Sequence, residues 1–114
     1  MAATAPSDAV KQIHYLAAAL KAPRITEAAA RLAEAARDAG IRLVQEAAAA
    51  GRTLRGFEVD DAVSGYIASR GMAHCIRHRT GHSIGREVHG VGANMDNMET
   101  HDERPVIPWT CFSV

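Results

Sequence analysis

The chain has 114 residues, with 13 basic and 13 acidic side chains and a formal net charge of zero. A chain without net charge lacks the electrostatic signature of nucleic-acid or acidic-membrane binding, so we expect no nucleic-acid partner and no membrane partner. Much of the 47% hydrophobic content is alanine and only 4% of the residues are aromatic, so each core residue buries little apolar area. The length suits one domain or a piece of a larger one.

The cysteines and the N-terminus indicate an intracellular protein. Cys75 and Cys111 lie far apart and form no CxxC pattern. So few cysteines predict reduced thiols rather than a disulfide scaffold. The sequence has no signal-peptide pattern and no apolar run long enough to cross a membrane. We therefore predict a cytoplasmic location.

Two amphipathic helices are predicted in the N-terminal half. The first runs from Asp8, a plausible N-cap, to about Leu20, and Pro23 closes it. The second is longer, and Gly51 is its expected C-cap. Gly40 is unfavourable inside it and weakens the prediction of one continuous helix. Small or apolar residues recur along one face at spacings of three and four: Ile25, Ala29, Leu32, Ala36, Ala39, Leu43 and Ala47.

The C-terminal half is less regular. A third helix is predicted over residues 59–70, with Gly71 as its stop, and residues 74–77 have at most a strand-like composition. Residues 90–104 form a long polar loop, which in a compact domain is usually functional or disordered. Residues 106–114 have a strand pattern with no turn after it. We therefore expect the chain to be a truncated piece of a larger domain.

Four of the six histidines, His74, His78, His82 and His89, fall in one short window that contains several glycines. Imidazole binds transition metals, transfers protons near neutral pH and stabilises developing oxyanions. His78 and His82 have the spacing of a zinc pair on one helix face. Gly81 and the missing glutamate make this a poor HExxH match, and such a pair by itself is often incidental.

A longer motif surrounds these histidines. The segment reads His78-Arg79-Thr80-Gly81-His82-Ser83-Ile84-Gly85, followed by Glu87-Val88-His89. It resembles the central motif of the pita-bread metallopeptidases, which include methionine aminopeptidase, aminopeptidase P, prolidase and creatinase. The resemblance is closest to the aminopeptidase P and prolidase (Xaa-Pro dipeptidase) branch, with its pattern His-x-x-Gly-His-x-Ile-Gly. It is strong over residues 51–114 and extends to about residue 28.

The resemblance implies a fold and a domain organisation. It predicts an α+β chain with part of the pita-bread fold, in which two or three helices pack on an incomplete antiparallel sheet. Residues 25–114 would form a partial metallopeptidase catalytic domain. Residues 1–24 would be an N-terminal extension that contains a short helix.

The resemblance also implies roles for three histidines. His82 is similar to a ligand of one of two divalent metal ions, which are Mn, Co or Zn in the intact family. His89 is similar to the catalytic histidine that contacts the peptide substrate and stabilises the tetrahedral intermediate. His78 is similar to the accessory catalytic histidine of the proline-specific branch. The implied reaction is hydrolysis of an N-terminal peptide bond by a metal-activated water.

The carboxylate ligands that accompany these histidines in the family have no counterpart in the sequence. Because hard divalent cations prefer carboxylate oxygens, we expect this chain alone to bind no metal stably and to be inactive. Two alternatives remain. The chain could be a non-catalytic helical interaction module or degenerate pseudo-enzyme, with a possible homo-oligomer. Otherwise His78, His82 and His89 could form a new metal site with Glu87 or Asp96.

Overall fold

A computed structural model describes residues 7–19 and 23–114. The described residues form three α-helices and two short strands, bounded as follows: α1 Asp8–Ala19, α2 Pro23–Ala49, α3 Gly56–Ser69, β1 Ser83–Ile84 and β2 Cys111–Phe112. The strands pair antiparallel, with Ser83 opposite Phe112. The predicted α+β class, helices with a small antiparallel sheet, is confirmed.

The contacts within the chain separate it into two compact units, residues 1–34 and 35–114. The predicted domain boundary between residues 24 and 25 stays a prediction. None of the helices in the described ranges is both long enough and apolar enough to cross a membrane. All of the predicted site histidines belong to the second unit.

The start of the first predicted helix differs from expectation, and its predicted end lies outside the described residues. Ser7, not Asp8, caps α1, because its Oγ accepts a hydrogen bond from the Val10 N–H at 3.3 Å. Leu20, the predicted last residue, lies outside the described residues. Pro23, predicted to close the first helix, is the first residue of α2. That position suits proline, because the first helical N–H has no partner within the helix.

Helix α2 is continuous through Gly40, which the sequence left in doubt. A Cβ at Gly40 would lie 2.7 Å from Val63 Cγ2 and 3.5 Å from Val59 Cγ1. Both valines belong to α3, so the glycine permits close packing of α3 against the second half of α2. This contact explains a residue that is unfavourable for an isolated helix.

Gly51 ends α2, as predicted. Its φ is +65°, a left-handed conformation that favours glycine. The Arg52 N–H donates to the Ala47 carbonyl at 2.9 Å, and the Gly51 N–H donates to the Ala48 carbonyl at 3.2 Å. These two bonds form a Schellman motif, which satisfies carbonyls at the end of the helix.

The core of the second unit is small. It consists of Ala47, Leu54, Val59 and Met95, with Leu43, Val44, Val106 and Phe112 packed against them. Of the predicted stripe on α2, Ala36 and Ala47 are buried, whereas Ile25 is 51% exposed. Only the C-terminal part of the stripe therefore contributes to this core.

Helix α3 begins at Gly56, three residues before the predicted start. The Glu58 carboxylate accepts a hydrogen bond from the Arg55 N–H at 2.7 Å. This bond lowers the pKa of Glu58 below its ordinary value. Gly71, with φ of +78°, follows the helix as predicted. The Glu58 carboxylate thus supplies the hydrogen-bond acceptor at the N-terminus of α3, where the N-cap residue is not Ser, Thr, Asp or Asn.

Two predicted strands are wrong or too long. Residues 74–77 do not form a strand, because the N–H groups of Cys75 and Ile76 bond locally to Met72 and Ala73 and produce a 3-10 turn at Ala73–Cys75. In the predicted strand over 106–114, only Cys111–Phe112 is extended and paired. Trp109, just before it, has φ of +66°, which breaks the extended conformation.

Candidate functional site

The histidine segment has little regular structure and is fixed by backbone pairing on two sides. On one side the N–H and C=O of Gly81 bond to Met95, at 3.3 and 3.1 Å. On the other, the His82 N–H donates to Ser113 Oγ at 3.0 Å, and the Ser113 N–H donates to the His82 carbonyl at 2.9 Å. His82 therefore lies between the 90–104 loop and the C-terminal strand.

Gly81 has to be glycine for this arrangement. A Cβ there would overlap the carbonyl oxygen of Ser113. Because that atom belongs to the backbone, no rotamer change could relieve the overlap. Gly81, which makes the sequence a poor match to a zinc-binding helix, is thus required for the close approach of Ser113, the residue after β2.

The structure brings His82 and His89 into direct contact. Their ring centroids are 4.3 Å apart, with an angle of 35° between the ring planes. His82 is half-buried and His89 is exposed. His78 is also exposed, and it lines a surface cavity of about 380 Å³ together with His82. The three predicted site histidines therefore lie at the surface around one region, not in an apolar interior.

The hydrogen bonds of two imidazoles define which ring nitrogen remains available. His82 Nδ1 lies 2.9 Å from the Ser83 carbonyl, and His78 Nδ1 lies 2.7 Å from the Arg79 carbonyl. A carbonyl only accepts, so Nδ1 carries the proton in both rings. Each neutral ring then has its lone pair on Nε2, the state in which imidazole binds a metal ion.

The described residues fit only part of a metal centre. In residues 7–19 and 23–114, no three His, Cys, Asp or Glu side chains converge as a possible metal site. His82 suits one ligand position, because its Nε2 has no hydrogen-bond partner in the described part of the chain. A dinuclear centre uses several carboxylates beside such a histidine, and no such group of side chains is assembled around His82 in the described residues.

Asp96, one of the carboxylates considered for a self-contained metal site, is already used by hydrogen bonds within its own loop. Asp96 is completely buried. Its two oxygens accept hydrogen bonds from the N–H groups of Met98, Glu99 and Thr100, at 2.9 to 3.3 Å. Burial raises the pKa of Asp96, but these donors outweigh it and the net shift is downward. Asp96 stabilises its own loop and does not reach the histidines as a ligand.

Asp102 has a similar structural role at the other end of the loop. It accepts hydrogen bonds from the Arg104 guanidinium at 2.6 and 3.0 Å and from the Asn94 N–H at 2.7 Å. The Arg104 guanidinium is the main reason that the pKa of Asp102 falls to about 2. The polar loop over residues 90–104 is therefore ordered by carboxylates that bind its backbone.

A buried carboxylate that was not among the predicted site residues contacts the histidine segment directly. Asp60 of α3 is 3% exposed and accepts hydrogen bonds from Thr80, which lies between His78 and His82. One signal was present: Asp60 follows Val59 and precedes Val63, on the face of α3 that is otherwise apolar. A carboxylate on the buried face of a helix requires donors from elsewhere in the chain.

Together, the helices, the small antiparallel sheet and the exposed histidine face define a partial α+β domain of the metallopeptidase type. A family model described as metallopeptidase family M24 matches residues 10–114. The chain belongs to this family, whose members generally use divalent metal ions, and the predicted partial pita-bread fold is confirmed. The match begins within α1 and so lies nearer the N-terminus than the start of the motif resemblance. A search of curated proteins finds no significant match.

Proposed function

We propose that this chain carries the histidine part of an active site of the Xaa-Pro aminopeptidase or dipeptidase type. His82 is the metal ligand, and His78 and His89 face the peptide substrate, whose N-terminal peptide bond is hydrolysed. One observation carries the proposal: His82 Nε2 has no hydrogen-bond partner among the described residues, and the ring centroids of His82 and His89 are 4.3 Å apart.

The proline-specific branch is supported by His78. It lines the same cavity as His82, together with Arg79, Thr80 and Glu99. Its Nδ1 is bonded to its own segment, so its Nε2 is the nitrogen available to a bound peptide. A cavity with two imidazoles offers a hydrogen-bond partner to a substrate and a separate ligand to a metal ion.

We also propose that the chain by itself does not hydrolyse peptides. A single imidazole holds a hard divalent cation weakly, because such cations prefer several oxygen ligands. The family's metals, Mn, Co or Zn, would then bind only weakly to this chain. A cytoplasmic location is part of the same proposal, and it is supported by the two cysteines, Cys75 and Cys111, which are both free.

The metal role of His82 is tested by NMR with added Mn²⁺, a paramagnetic ion that broadens nearby signals. We expect the imidazole signals of His82 and His89 to broaden first. His74 is the internal control, because it is exposed on the 3-10 turn and does not line the cavity. Replacement His82→Ala should remove the selective effect on His89. Equal broadening of His74 and His82 in the unmodified chain would refute the assignment.

The proposed inactivity has its own test. The purified, homogeneous chain is incubated with Mn²⁺, Co²⁺ or Zn²⁺ and Xaa-Pro dipeptides, and the release of proline is followed. We expect no turnover above a metal-only control. Steady hydrolysis that disappears in His82→Ala would contradict inactivity while supporting the metal role.

A second candidate function is supported by the first unit of the chain. Tyr15 and Leu16 on α1 and Ile25 on α2 are each more than half exposed, and exposed apolar residues that form one patch mark interaction sites. The second proposal is a helical interaction module that forms a homo-oligomer. Light scattering would show a stable oligomer that is insensitive to metal and is lost when Tyr15 and Leu16 are replaced by Ser.

A further inference from the structure

One buried carboxylate connects α3 to the histidine segment and to the polar loop. Asp60 Oδ1 accepts two hydrogen bonds from Thr80, from its N–H at 3.0 Å and from its hydroxyl at 2.6 Å. Asp60 Oδ2 accepts a third from the Asn97 N–H at 2.7 Å. Thr80 lies two residues from His78 and two from His82. A single side chain thus fixes the backbone midway between two site histidines.

We propose that Asp60 is a positioning residue that sets the His78–His82 segment and, through it, the direction in which both imidazoles present Nε2. What these imidazoles bind rests on the proposed function. The positioning itself depends only on the contacts of Asp60, Thr80 and Asn97.

The donors around Asp60 show why a carboxylate is needed at this position. No Lys, Arg or His lies within salt-bridge distance of Asp60 among the described residues. Its charge is balanced by N–H and O–H donors alone, those of Thr80 and Asn97 and a weaker one from the Ser64 hydroxyl at 3.3 Å. Hydrogen bonds to a charged acceptor are about twice as strong as neutral ones. Removing the carboxylate would leave the donors of Thr80 and Asn97 without this acceptor.

The His78 side of the segment has few other anchors. Residues 76–81 form no helix and no strand pair, apart from the bridge between Gly81 and Met95. Arg79 Nη1 lies 3.6 Å from Asp96, a long ion pair. His78 itself bonds only to the adjacent carbonyl of Arg79. Loss of the two bonds to Thr80 should therefore release His78 and alter the geometry at His82.

The test measures imidazole tautomers by long-range ¹H–¹⁵N NMR without metal, at a pH where the rings are neutral. In the unmodified chain we expect the Nδ1–H tautomer for His78 and His82. In Asp60→Ala we expect both to shift towards the tautomer mixture of the exposed His74. The contact between the rings of His82 and His89 should weaken as well.

Asp61→Ala is the matched control. Asp61 is the next residue of the same helix, is exposed, and accepts one bond from the Asn97 side chain at 2.7 Å. This variant removes the same charge without touching Thr80. We expect the tautomers of His78 and His82 to stay as in the unmodified chain, whereas a general effect of charge or of helix α3 would change them equally in both variants.

A second pair of variants covers the case in which Asp60→Ala fails to fold. Thr80→Val removes the hydroxyl donor but keeps the side-chain shape and the N–H, and Thr80→Ser restores the donor. We expect Thr80→Val to shift the His78 and His82 signals in the same direction as Asp60→Ala but less, and Thr80→Ser to restore them. Unchanged tautomers in folded Asp60→Ala, or in Thr80→Val where Asp60→Ala is unfolded, would overturn the proposal.

The two proposals fail in different measurements. If Mn²⁺ does not broaden His82 selectively in the unmodified chain, the metal role fails and the positioning role stands. If Mn²⁺ does so but the tautomers are indifferent to Asp60 and Thr80, the positioning role fails and the metal role stands.

Discussion

Two glycines of α3 should respond to the same substitution in opposite directions. Gly56 is buried at the first residue of the helix, and a Cβ there would overlap the carbonyl oxygen of Asn94. Gly65 lies on the same helix, is exposed, and has no atom within 4 Å of the position that a Cβ would take. The pair separates the effect of backbone packing from that of helix propensity.

The magnitudes follow from the contacts. Gly65→Ala should raise the free energy of unfolding by about 1 kcal/mol, the propensity difference between the two residues in a helix. In Gly56→Ala the helix and the loop must move apart, because a backbone carbonyl cannot rotate away. Three hydrogen bonds are then strained, two from the N–H groups of Gly56 and Phe57 to the 102–104 backbone and one from the Asn94 N–H to Asp102. At about 1 kcal/mol each, their loss costs about 3 kcal/mol.

Urea unfolding followed by far-UV circular dichroism measures both values. We expect the midpoint to rise in Gly65→Ala and to fall in Gly56→Ala, with similar slopes, since neither change should alter the surface exposed on unfolding. If Gly56→Ala is as stable as the unmodified chain, α3 does not approach the 94–104 loop as closely as the structure shows. A destabilised Gly65→Ala would instead point to an unrecognised contact of α3.

Three further predictions concern the loop and the sheet. The Arg104 bond keeps the pKa of Asp102 at about 2, so the stabilisation by Asp102 is complete above its unfolded pKa and is lost as the pH falls. The free energy of unfolding should drop by about 2 kcal/mol from pH 4 to 2. Urea titrations should show less of this drop in Asp102→Asn. Gly81→Ala should push Ser113 away and remove the amide-to-amide NOEs between β1 and β2, while those of α3 persist. Trp109, the single tryptophan, is fully exposed, so its fluorescence maximum should not shift on unfolding.

The helices were predictable because their signals are local. The three- and four-residue spacing and the C-terminal glycine of α2 depend only on neighbouring residues, and Gly51 has the expected left-handed conformation. The start of α3 was not predictable, because Glu58 replaces the usual polar cap by bonding back to Arg55. Gly40 appeared unfavourable because its advantage, contact with Val59 and Val63, belongs to a second helix.

The site was predicted only in part for the same reason. The motif resemblance singled out His82 and His89, and the structure brings their rings together. The metal role of His82 and the catalytic role of His89 stay predictions. The bonds of Asp60 reach Thr80, 20 residues away, and Asn97, 37 residues away. No spacing rule connects residues that far apart, so a carboxylate that organises the site resembled an ordinary helix residue.

The described residues contain three buried carboxylates, and the hydrogen bonds that these accept help to decide between the rival interpretations of the site. Asp60, Asp96 and Asp102 are each used by N–H and side-chain donors of the histidine segment and the polar loop. If any one of them became a metal ligand, the N–H groups bonded to it would lose their acceptor. The backbone of the histidine segment or of the polar loop would then be released. A metal centre at this site would therefore take its carboxylates from other positions, and the imidazoles of His78, His82 and His89 are not bonded to any of these three carboxylates. This division favours a histidine-bearing part of a metallopeptidase site over a new, self-contained metal site.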